Sequence, residues 1–296
     1  VTSVANINND IPEVVSTVAA TSSQGVNYQA QLISIETDLI RAYIDLAGGD
    51  IIHLELLNFD SQLHSDIPFV LLDNTKRVYI AQSGLIGANG IDKTDNQRPV
   101  YSSQFNSYHL THNNKNLVVP LNYMHQGVSI TKEFVFQANS YSIGVNYRIN
   151  NQTRDNWSGN MFGQIKYRSL NNPGALDGLS ALSYTGAVLS TPADVYEKVS
   201  LDDIQDDNLN RSANGGWIAM LQHYFVSAWI PPTQNTNTYQ TRVHNNNYVM
   251  RFIGPQVDVP AGGTGELSAK LYVGPKLAEQ LEAAAPNLPL TVDYGF

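Results

Sequence analysis

The sequence contains no cysteine. Disulfides, thiol nucleophiles and cysteine-ligated zinc are excluded together. A chain of 296 residues can build a core without covalent staples, so an oxidising compartment stays open to it. No apolar run reaches the roughly eighteen residues that a membrane-crossing helix needs, and no signal-peptide pattern is present. Charge is scarce at 15%, with 17 Lys and Arg against 26 Asp and Glu. The resulting formal charge of −9, with no basic cluster, argues against nucleic acid or an anionic lipid surface as partner. No repeat of fixed period appears, which sets a propeller aside.

What the chain does have is one dense apolar stretch, Gly215–Pro232 (GGWIAMLQHYFVSAWIPP). Trp217, Leu221, Tyr224, Phe225 and Trp229 mark it as the deepest core, since each buried large side chain is worth roughly 1.5–3 kcal/mol. Both alternating faces are apolar, as in a strand covered on both sides. The Gly-Gly and Pro-Pro brackets and the aromatic content favour strand over helix. Fifteen extended residues would span about 50 Å, so a bend or bulge is expected near Gln222-His223.

Around this stretch the pattern is that of short strands. Leu39–Leu46 and Ile52–Leu56 alternate about a Gly48-Gly49-Asp50 turn and read as a hairpin. Tyr141–Asn150 alternates without exception, with Tyr141, Ile143, Val145, Tyr147 and Ile149 on one side. A long Gly/Asn-rich connection is expected over Ser83–Val100. About fifteen strands with no helices between them predict an all-β, antiparallel two-sheet sandwich. Val1–Asn27 reads as a flexible, patternless leader, and the chain as a piece of something longer. Three segments result: a leader over 1–28, a β domain over 29–275, and a C-terminal helix and linker over 276–296. The helix is expected over Lys276–Ala285, with Pro275 in its first turn, Pro286 as its stop, and Leu277, Leu281 and Ala284 or Ala285 as its apolar stripe.

Candidates for chemistry are weak. His109 and His112 sit three apart and would point to opposite faces of a strand. Asp202, Asp203, Asp206 and Asp207 lack the glycine and terminal glutamate of a calcium loop, and read as a solvated loop. His223 reads as a satisfied buried histidine. No Gly-x-Ser-x-Gly elbow or phosphate cradle is present. No catalytic residue, metal site or cofactor is therefore expected.

Several motifs nevertheless agree in order and spacing with one family. They are Gly215-Gly216-Trp217 through Gln222-His223-Tyr224-Phe225 to Trp229-Ile230-Pro231, Leu271-Tyr272-Val273-Gly274-Pro275, and the closing Leu290–Gly295. Gln82-Ser83-Gly84-Leu85, Arg98-Pro99-Val100-Tyr101, Ser190-Thr191-Pro192 and Tyr196-Glu197-Lys198 match as well. From about Gln29 to Phe296 the chain resembles the large periplasmic domain of the Gram-negative YidC insertases. The resemblance implies a galactose mutarotase-like β-supersandwich with a short C-terminal helix. It also implies a periplasmic location anchored in the bacterial inner membrane, with the chain running on from Phe296 into a membrane helix.

The implied role is a non-enzymatic scaffold that positions the membrane core during insertion. Implied partners are the accessory translocase SecDF, mapping loosely onto Phe162–Asn208, the Sec translocon, and nascent inner-membrane proteins. The segment that supports insertion in the family matches Gly274, Pro275, Ala283, Ala285, Pro286, Leu288, Leu290, Thr291, Val292, Asp293, Tyr294 and Gly295. Leu277 and Leu281 would dock its helix. Two other readings compete. One is a carbohydrate-binding or sugar-epimerase-like protein, for which His109, His112 and Glu133 are the acid–base candidates. The other is a sheet cleft that holds unfolded segments.

Overall fold

The computed structural model describes residues 10–12, 31–62, 65–93, 98–168 and 184–292. The chain lays down β1 (Leu32–Glu36), β2 (Ile40–Asp45), β3 (Asp50–Asp60), β4 (Pro68–Leu72) and β5 (Val78–Ile86). After a short β6 (Ser107–His109) comes the meander β7 (Asn116–His125), β8 (Val128–Gln137) and β9 (Ser142–Asn151). β10 (Trp157–Arg168), β11 (Gly186–Ser190), β12 (Glu197–Ser200), helix α1 (Leu201–Asp206) and β13 (Asn210–Asn214) follow. β14 (Trp217–Leu221), β15 (Phe225–Ile230), β16 (Thr236–His244), β17 (Asn247–Val259) and β18 (Thr264–Pro275) complete the strands. Helix α2 (Ala278–Ala284) and a 3-10 turn (Leu288–Thr291) close the described chain.

The strands form two sheets. The first runs β13-β16-β17-β10-β5-β3-β2-β1-β6, with β4 beside β3; the second runs β12-β11-β14-β15-β18-β9-β8-β7. Pairing is antiparallel except where β6 lies parallel to β1. β9 shows why the sheets stack. Ile143, Val145, Tyr147 and Ile149 are buried while Ser142, Gly144, Asn146 and Arg148 are not, so one side of the strand must be covered. Tyr79 of β5 donates a 2.8 Å hydrogen bond to Ser227 of β15, fixing the inner face of each sheet.

Gly215–Pro232 is not one bent strand. β14 and β15 pair antiparallel, Ile218 opposite Trp229, and the chain reverses fully between Leu221 and Phe225. Trp217, Leu221, Phe225 and Trp229 are buried, but Tyr224 is 63% exposed at the turn. His223 beside it is half-buried, with its ring against that of Tyr224. Polar Gln222 and His223 supply a turn, which costs less than carrying them through the core.

Other expectations are also corrected. β5 runs on to Ile86, taking the first residues of the expected Ser83–Val100 connection. The acidic run is helix α1 rather than a loop, capped by Ser200, whose side chain accepts from the Asp203 N–H. Asp10 and Ile11, inside the expected leader, are fully buried against the first sheet.

The inner faces approach closely at Gly163 of β10. A Cβ there would lie 2.6 Å from Trp229 and 2.6 Å from Phe252, so the indole packs against bare backbone. Gly163→Ala is expected to destabilise the domain by about 1–3 kcal/mol, the usual cost of overpacking. Urea unfolding checks it, and an unchanged midpoint would remove this contact from the account.

Candidate functional site: the C-terminal seam and a buried charge cluster

On β14 and β15 the inner residues are Ile218, Met220, Phe225, Ser227 and Trp229, by register with Ser227 and by contact with the first sheet. Trp217, Ala219, Leu221, Val226, Ala228 and Ile230 then point to the outer side, yet they too are buried. The C-terminal segment accounts for this. Trp217 Nε1 donates 2.9 Å to the Pro286 carbonyl, and Lys270 Nζ, opposite Ile230, donates 2.8 Å to the Ala284 carbonyl. Leu281, Ala284, Ala285 and Leu288 are buried in the same apolar core, and Val292 packs at its edge. Beside the seam lies a groove of about 510 Å³, lined in part by Ser142, Gly144, Ile230, Lys270 and Pro286.

The sequence-predicted residues therefore divide. Leu281, Ala285 and Leu288 dock the segment, and Gly274 admits the Tyr141 ring, which a Cβ would meet at 2.6 Å. Pro275 ends β18 and accepts from the Tyr272 hydroxyl at 2.6 Å, rather than opening the helix. Leu277 is the helix N-cap and is 48% exposed, so the expected stripe loses its first member. Ala283 is exposed. Asp293, Tyr294 and Gly295 lie outside the described residues.

A second constellation escaped the sequence reading as a site. Arg98 donates to Asp50 through Nη1 at 2.8 Å and Nη2 at 2.9 Å, and to Asp92 through Nε at 2.6 Å. Lys132, from the inner face of β8 in the second sheet, reaches the Gly48 and Ser83 carbonyls at 2.8 and 3.0 Å. Arg98 Nη2 shares both acceptors. The cluster joins the sheets, and its charges balance as two acids and two bases. It continues through Gln82, which donates 2.8 Å to Asp50, and Gln164, which donates 2.9 Å to Gln82. The available signal was Lys132 itself, standing between Ile130 and Phe134 where the alternation calls for an apolar residue.

Burial opposes charge throughout the cluster. It pushes the Asp92 carboxyl up, although Arg98 pulls the other way. It opposes the Arg98 guanidinium too, but Asp50 and Asp92 more than offset it and hold Arg98 above the usual arginine value. Lys132 is drawn down to about 7, with Asp50 resisting and Arg98 adding to the effect.

The acid–base candidates sit on separate elements. His109 lies exposed on β6 at the rim of the first sheet, 2.8 Å from Ser107, while Glu133 lies on β8 in the second sheet. His112 is exposed in the turn after β6. Among the described residues no group of three His, Asp or Glu could hold a metal ion.

Two predictions follow from this geometry. Leu281→Ala should cost about 2–5 kcal/mol as a core truncation, whereas Leu277→Ala should stay within about 0.5 kcal/mol; amide exchange across 278–291 reports both, and equal effects would undo the assignment. Because the Lys132 pKa falls on folding, the unfolded chain takes up that proton first as pH drops from about 10 to about 7. Stability should therefore rise with pH across that window, by at most roughly 1.4 kcal/mol per unit. Lys132→Met should remove that rise in denaturant titrations at pH 7 and 9. A wild type with no slope would show that the lysine does not titrate there.

Residues 32–296 match the family described as the YidC periplasmic domain. The membrane protein insertase YidC of Pseudomonas putida (strain W619) is 42% identical over 290 residues, covering 97% of this chain and 52% of that protein. The insertase YidC of Azotobacter vinelandii is likewise 42% identical over 290 residues, with the same coverage. The chain thus spans about half the length of these relatives. Among solved structures, a galactose mutarotase related enzyme from Lactobacillus acidophilus aligns with a TM-score of 0.50 at 11% identity. The alignment covers 82% of this chain and 97% of that one. At that identity the likeness concerns the fold alone, and it agrees with the expected supersandwich.

Proposed function

The chain belongs to the YidC periplasmic domain family, and from that premise we propose that it is the periplasmic domain of an inner-membrane protein insertase, acting as a non-catalytic scaffold. The observation that carries the reading is the C-terminal seam. Leu281, Ala284, Ala285 and Leu288 are buried in the core, and Trp217 and Lys270 clamp the Pro286 and Ala284 carbonyls. A segment held this way transmits the orientation of the sandwich to whatever follows it, where an undocked linker would let the domain swing. The seam thus fixes the domain relative to the membrane-embedded part of the insertase. The groove beside it, lined by Ile230, Lys270 and Pro286, offers a surface for an accessory translocase such as SecDF. The Sec translocon and nascent inner-membrane proteins complete the expected set of partners.

The placement of His109 on β6, His112 in the turn after it and Glu133 on β8 supports the non-enzymatic reading against a sugar epimerase. Two measurements test the proposal. In a full-length insertase carrying this domain, Leu281→Asp should lower insertion of a single-span reporter several-fold, while Leu277→Asp leaves it unchanged. The isolated chain should show galactose mutarotation at buffer background. Full insertion by an undocked Leu281→Asp variant, or turnover well above background, would defeat the scaffold reading.

A further inference from the structure

Arg251 lies on the outer side of the first sheet, fully buried, and its Nε, Nη1 and Nη2 atoms have no hydrogen-bond partner among the described residues. An arginine without acceptors is costly to bury. Burial, reinforced by neighbouring Arg242 and opposed by Asp10, draws its guanidinium down to about 9. Gln82, Gln164, Arg251 and Gln240 are register partners on β5, β10, β17 and β16, so they form one row across the sheet. Gln164 is also fully buried, and its Oε1 is unpartnered while its Nε2 holds Gln82. One step along the same face, Lys166 of β10 and Arg242 of β16 flank Val249 in register.

The chain itself places a short segment here. The Asp10 carboxylate pairs with Lys166 Nζ and lies within electrostatic reach of Arg251. Ile11 then fills an apolar pit formed by Ile86 and Phe162, with Ile253 at its margin. A site that combines cations with an adjoining aliphatic pit, in a protein of net charge −9, is selective: the rest of the molecule repels the acidic segments that this face attracts.

We infer that the outer face of β5, β10 and β17 is a docking site for acidic peptide segments in which a carboxylate side chain is followed by a branched aliphatic one, and that Asp10–Ile11 is its resident, displaceable occupant. Lys166 and Arg251 receive the carboxylate, Arg251 through the planar fork that suits it. Gln164 Oε1 accepts a backbone N–H of the incoming segment. Ile86, Phe162 and Ile253 take the aliphatic side chain. The inference goes beyond the scaffold role and does not depend on it. Because the resident segment belongs to the same chain, it competes intramolecularly at a high effective concentration. Outside peptides therefore bind measurably only once it is weakened.

Fluorescence anisotropy with a labelled peptide, Asn-Asn-Asp-Ile-Pro-Glu-Val, tests this on the full 296-residue chain. The double variant Asp10→Asn/Ile11→Ala should bind the peptide at least tenfold more tightly than the wild type. Adding Lys166→Gln to that variant should reverse the gain, as should replacing the peptide's aspartate with asparagine. Lys166 is half-buried, so its loss spares the core, and circular dichroism confirms that each variant is folded. Equal affinity in the wild type and the opened variant would overturn the proposal. So would binding indifferent to Lys166 and to the peptide carboxylate, or no binding to a folded opened variant.

Discussion

The structure depends on a single packing constraint: the hairpin β14–β15 is apolar on both of its faces. A sandwich covers only the inner face of each sheet. Trp217, Leu221, Val226 and Ile230 on the outer face would lie open to water unless another part of the chain covered them. Helix α2 and the 3-10 turn do so, and the two side-chain-to-carbonyl bonds from Trp217 and Lys270 satisfy polar groups that the burial would otherwise strand. The C-terminal segment is therefore the missing layer of the core. Its seven-residue helix has no side-chain N-cap bond, and it is too short to persist on its own.

The two sheets are held in register by a different kind of contact. Trp229 against Gly163 gives close apolar packing, but such packing alone leaves sliding cheap. The Asp50–Arg98–Asp92 group with Lys132 is directional. Lys132 comes from the second sheet, and its acceptors, the Gly48 and Ser83 carbonyls, come from the first. Desolvation makes such a cluster a poor source of net stability, and losing one member would leave the others uncompensated. Its directional bonds run from a side chain of one sheet to main-chain carbonyls of the other. The pairing of Arg98 with both carboxylates, beside a lysine that burial pushes towards its neutral form, is what makes it tolerable inside the domain.

Much of this was legible in the sequence. Period-two alternation located most strands, and Gly48-Gly49 marked a turn whose glycines do adopt positive φ. The dense stretch was rightly placed in the core, but its reversal was missed. Both flanks of Gln222-His223 read as strand, and alternation carries no sign for direction, so a bend and a hairpin look alike. Tyr224 was misplaced for that reason. Leu277 was misplaced because a stripe at helical spacing does not say where the helix starts; the true start came three residues after Pro275. The charge cluster was nearly invisible, since its members lie at positions 50, 92, 98 and 132 and only the fold assembles them. Gln82-Ser83-Gly84 and Arg98 had stood out as family motifs. Their meeting at one cluster gives a physical reason for that pattern: Gly84 leaves room for the Asp92 carboxylate, which a Cβ would meet at 2.5 Å.

The two outer faces then pose the same problem and answer it differently. On the second sheet the outer surface of β14 and β15 is apolar, and its cover is apolar and docked by main-chain carbonyls. On the first sheet the outer surface carries Lys166, Arg251 and buried glutamines, and among the described residues Asp10 and Ile11 lie over the part beside Lys166 and Phe162. An apolar cover gains from the whole buried area and leaves only by local unfolding. A cover held by a few polar contacts over a small pit is exchangeable, because a competitor of like chemistry can replace each contact in turn. The docked cover of one sheet and the exchange proposed for the other would both follow from the residue types that the two sheets present outward.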